Sequence, residues 1–163
     1  MKKEELDKIL DNHRLWLSSD KTDGLMAVLL GADLDFADLR GADLRNADLY
    51  GTYLRESSLQ NADLRDTNLS NANIRGAFLR GAFLSNADLT ETDLRNADLR
   101  SADLSNADLR YANLQNADLG NADLTGAKYN KDTVFPSDIN PKERGMILIE
   151  EVKTETEPTI GEL

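Results

Sequence analysis

From Ala27 to Tyr129 the chain repeats every five residues without a slip, and that period is incompatible with either regular secondary structure. Each unit centres on Leu, from Leu29 through Leu34 and Leu39 to Leu124, with Ile74 as the one exception and Tyr129 closing the series. Two residues before each centre stands a small residue in all 21 units: Ala in 17, Thr52, Thr67, Thr92 and Ser57 in the others. A helix advances about 100° per residue, so a five-residue step carries successive leucines about 140° round the cylinder. A straight strand alternates sides, so an odd period throws every second Leu to the wrong face. A backbone that turns after each unit resolves the conflict. The small residue and the Leu then point inward, three polar residues face outward, and the Gly or Asn after the Leu takes the corner, where positive φ is tolerated. Periodicity alone leaves three and four units per coil both open.

The unit Ala-Asp-Leu-Arg-Asn, with close variants starting at Ala47, Ala62 and Ala97, resembles the pentapeptide-repeat family over about 103 of 163 residues. The resemblance implies an all-β solenoid, a right-handed quadrilateral β-helix with four units per coil. On that implication the array makes about five coils, roughly 24 Å long at strand-like spacing.

Before the array, Leu6, Ile9, Leu10, His13 and Leu17 follow helical spacing, so residues 1–26 are expected to hold an N-terminal capping α-helix and a turn at Asp23-Gly24. The His-Arg-Leu-Trp-Leu stretch at 13–17 is similar to leaders of bacterial family members. Residues 27–129 form the repeat domain. Residues 130–152, with Pro136 and Pro141, are expected to close its far end, and the Thr- and Glu-rich residues 153–163 to be disordered.

A net charge of -11 disfavours direct nucleic-acid binding, and the absence of cysteine suits a cytoplasmic chain without disulfides or Cys-ligated metal. No run of 18 apolar residues occurs, so no membrane association is expected. With one histidine, no phosphate loop and carboxylates recurring once per unit, the chain carries no catalytic, cofactor or metal site.

The expected function is a non-enzymatic protein-interaction or scaffold module presenting a β-helical surface, its partner another protein or a second copy in a homodimer. Tyr53, Phe78 and Phe83 replace the usual Asp or Asn on the outside, Tyr50 and Tyr111 also face out, and Arg55, Arg75 and Arg95 fall in one file at 20-residue spacing. These eight residues are the candidate contacts. The alternative comes from the family resemblance, a DNA-mimicking modulator of a type II topoisomerase such as gyrase. Against it, residues 27–129 hold 16 acidic and 10 basic side chains, a net of -6. Duplex DNA of the same length would carry about -14.

Overall fold

The computed structural model describes residues 1–150. The last two residues of the expected far-end closure and the whole expected disordered tail lie outside the described residues. One helix, α1 (Lys3–Ser18), precedes the array, and two short strands, β1 (Lys128–Tyr129) and β2 (Ile147–Leu148), pair in parallel at its end.

Between them the backbone is a ladder of single-residue parallel bridges, and almost every rung joins residues 20 apart, as in Asp38 to Ser58 and Ser58 to Phe78. Four five-residue units therefore bring the chain back above its starting point. Each rung is held from both sides: the Leu59 N–H donates to the Phe78 carbonyl at 2.8 Å and the Phe78 N–H to the Ser57 carbonyl at 2.9 Å. Between rungs the chain turns, with the Ala62 N–H donating to the Leu59 carbonyl at 3.0 Å. The second residue of every such turn has positive φ, from Gly31 at 60° to Gly126 at 72°. That geometry is why Gly and Asn recur there, and why Phe36 (φ 61°) and Tyr111 (φ 62°) are costly residues to hold at a corner.

The expectation of an all-β solenoid, a right-handed quadrilateral β-helix, is corrected by this arrangement. Among the described residues continuous strand is confined to β1 and β2, two residues each, and every other pairing is an isolated bridge. The reason is the length of the unit. A two-residue turn consumes so much of each five residues that one residue per face pairs, and no strand propagates. Two functional expectations fall with that class: the interaction or scaffold module presenting a β-helical surface, and the DNA-mimicking rod. Among the described residues no continuous strand-built surface exists to serve either.

Inside the ladder the centres from Leu29 to Leu124 are buried, all at 3% exposure or less. The space between Leu39 and Ile74 does not admit a water molecule. The polar members of the small column are satisfied in place, Thr52 Oγ1 donating to the Leu49 carbonyl at 2.8 Å and Ser57 Oγ to the Leu54 carbonyl at 2.7 Å.

Helix α1 places Glu4 and Glu5 in its first turn, where carboxylates favour the helix dipole, and packs Leu6, Ile9 and Leu10 on the core. His13 is fully buried, and its Nδ1 accepts the Ala27 N–H at 3.0 Å, tying the helix to the first unit. Trp16 stacks on the imidazole with ring centres 5.6 Å apart. Gly24 allows this approach, since a Cβ there would lie 2.3 Å from the Asn12 carbonyl oxygen. At the other end the register slips, Asn113 bridging Val134 at 21 residues. Beyond it Arg144 Nη2 donates to the Ala122 carbonyl at 2.6 Å, and Met146 is buried against the core.

Candidate protein-contact face

The outside of the array is written by two residues per unit, the one that forms the rung and the one that follows the Leu. When the rung residue is Asp, its Oδ1 accepts the N–H two residues on, as from Arg65 to Asp63 at 3.3 Å, which fastens the turn. When the second residue is Arg, its guanidinium folds back on the same carboxylate. Arg65 Nε donates to Asp63 Oδ1 at 2.8 Å and Nη2 to Oδ2 at 2.6 Å. The same fork closes Arg40 on Asp38, Arg45 on Asp43, Arg95 on Asp93, Arg100 on Asp98 and Arg110 on Asp108. Arg55, which has Tyr53 two residues before it, reaches instead to Asp35 one circuit below. Hydrogen bonds from these arginines hold the carboxyls of Asp35, Asp43, Asp93 and Asp98 below their usual range, and that of Asp38 at about 2. Each of these arginines is thus neutralised where it stands, while the array keeps its excess of carboxylates.

Phe78 and Phe83 interrupt this pattern on adjacent faces, 45% and 46% exposed. Phe78 joins Arg55, Arg75, Glu56, Gly76 and Asn96 around an open groove of about 510 Å³. Tyr53, 49% exposed, lies on the neighbouring face and bridges Asn73. Five of the eight candidates are therefore gathered here: Arg55, Arg75 and Phe78 around the groove, with Tyr53 and Phe83 on the faces beside it. Arg95 stands one circuit above Arg75, its guanidinium occupied by Asp93. Tyr50 and Tyr111, 47% and 41% exposed, lie at the far ends of another edge, and the Tyr111 N–H donates to Asn130 Oδ1 at 3.0 Å. They are exposed, but not part of the groove.

Sequence reasoning missed Arg80. It also missed the pairing of Asp with the Arg two residues on, the spacing Asp-x-Arg being the available signal. Phe36, 70% exposed, also went unremarked.

Eight copies of the family described as pentapeptide repeats match, within residues 32–71, 47–86, 67–106 and 87–126. These cover more than half of the sequence. The chain belongs to the pentapeptide-repeat family. Among solved structures, this pentapeptide-repeat protein is 29% identical to alr5209 of Nostoc PCC 7120, over 85% of this chain and 93% of that one, with a TM-score of 0.37. It is 30% identical to Rfr23 of the cyanobacterium Cyanothece 51142, over 77% of this chain and 99% of that one, with a TM-score of 0.39. It is 29% identical to HetL of Nostoc PCC 7120, described as involved in heterocyst differentiation regulation, over 76% and 70% of the two chains, TM-score 0.37. No curated protein matches the chain.

Among the described residues no helix is long and apolar enough to cross a membrane, and no group of three His, Cys, Asp or Glu is placed to hold a metal ion.

Proposed function

We propose that this chain acts by binding one protein partner on the local patch around Phe78, with Phe83, Tyr53, Arg55 and Arg75 as contacts and Arg95 at its upper edge. The observation that carries the reading is the pairing of two half-exposed Phe side chains on adjacent faces with a groove beside one of them. Both stand where neighbouring units carry polar side chains, so neither is needed to build the array. Aromatic side chains grouped with arginine are the composition that protein contacts favour. The cysteine-free composition supports action in the cytoplasm. A second copy of the chain is one candidate for the partner.

Affinity capture from the source cells, with the intact chain and with Phe78→Ser/Phe83→Ser in parallel, tests the patch. A protein held by the intact chain, purified and rebound, is expected to bind the double variant at least about tenfold more weakly. Equal binding by both chains would refute the patch. Sedimentation of the two chains reports whether a second copy is the occupant.

A further inference from the structure

Seven of the nine arginines in the array are ion-paired, to Asp38, Asp43, Asp35, Asp63, Asp93, Asp98 and Asp108. The two exceptions are Arg75 and Arg80, both exposed, one on each side of Phe78 in the same circuit. The cause is that neither has a carboxylate two residues before it or, as Arg55 has in Asp35, one circuit below, where Arg55 and Gln60 stand. Two residues before Arg75 stands Asn73, which accepts the Arg75 N–H at 3.3 Å but carries no charge, and two residues before Arg80 stands Phe78. Each guanidinium feels a carboxylate of the next circuit, Asp93 and Asp98 respectively, without forming a salt bridge to it. Those two carboxylates are already forked by Arg95 and Arg100. An exposed aromatic ring framed by two uncommitted guanidiniums has one natural complement, a carboxylate-bearing segment with an apolar side chain between its charges.

Resting on the reading that a protein is seated at Phe78, we infer that this partner presents an acidic segment whose carboxylates engage Arg75 and Arg80 while an apolar residue covers Phe78. The segment carries few charges. Glu56 lines the groove and the chain as a whole is at -11, so a long polyanion, nucleic acid included, is repelled outside the two-arginine frame.

The test uses the full chain and a fluorescent peptide with two Glu flanking a Leu-Phe pair, its Gln counterpart, and a single-stranded oligodeoxynucleotide, read by anisotropy. The Glu peptide is expected to bind at least about tenfold tighter than the Gln peptide, the scale of one charge-assisted hydrogen bond. Arg75→Gln/Arg80→Gln erases that preference, whereas Arg45→Gln/Arg65→Gln, which removes two paired arginines, keeps it. Equal binding of Glu and Gln peptides, no binding of the Glu peptide, an unchanged preference in the first variant, or stronger binding of the oligonucleotide would each overturn the inference. A cellular partner that still depends on Phe78 and Phe83 would then leave the patch standing while removing its acidic ligand.

Discussion

The stretch from Asp38 to Arg45 and the stretch from Asn73 to Phe83 share one backbone and differ in what stands outside it. In the first, two Asp-x-Arg forks close on themselves and the turns are fastened by carboxylates. In the second the rung residues are Asn, Phe and Phe, the fork is absent, and two arginines stand open. The interior is the same in both, Leu44 and Leu79 each at 0% exposure. The array therefore separates two jobs: the inward pair of each unit makes the fold, and the outward pair is free to be inert or adhesive.

The largest effect that could break this comparison is in the interior. Leu44→Ala and Leu79→Ala should each cost about 2 to 5 kcal/mol in denaturant unfolding, because both leave a cavity where a fully buried side chain stood. Values differing by more than about 1 kcal/mol would show that the two interiors are not alike.

A smaller effect acts on the first stretch alone. Burial pushes the His13 imidazole below its usual range, with the Asp43 carboxylate and the Arg45 backbone opposing and the Arg45 guanidinium adding to the depression. Its folded pKa is thus lower than its unfolded one, so the stability it contributes is present above 6.5 and lost as pH falls through the folded value. Protonation also removes the Nδ1 acceptor of the Ala27 N–H. Between pH 7 and 5, amide protection corrected for intrinsic exchange should fall in α1 and around Asp43 while holding around Phe78. Equal loss in both places would contradict a local attachment.

The smallest effect sharpens the difference between the outsides. Phe78→Asp converts the second stretch toward the first by giving Arg80 its fork, and should change stability by about 0 to 1 kcal/mol. The same substitution should abolish partner capture. Retained capture would mean that the exposed ring and the open guanidinium are not what the partner reads.

Much of this was legible in the residues. The five-residue period told which side chains go inward, and hence that Tyr53, Phe78 and Phe83 face out, because direction follows from position within a unit. The strand content was not legible. A resemblance to a strand-built class says nothing of how many residues per face pair once the turn has taken its share, and here that number is one. The open arginines were hidden for a different reason. Arg75 and Arg80 look like the other seven until each is read against two neighbours at once: neither has an Asp two residues before it, and where Arg55 finds Asp35 one circuit below, they have Arg55 and Gln60 in that position.

The register of 20 has a further consequence for how such a surface can change. From Asp48 to Lys128 every rung residue lies over the one 20 positions earlier, so Asp98 stands over Phe78 and Asp103 over Phe83. Losing a single five-residue unit from between them would leave the interior sequence intact yet rotate everything above by one face, setting Asp103 over Phe78. Shortening by one unit would thus reshuffle the exterior without rewriting any retained residue, whereas shortening by four would leave the stacking of every remaining file unaltered.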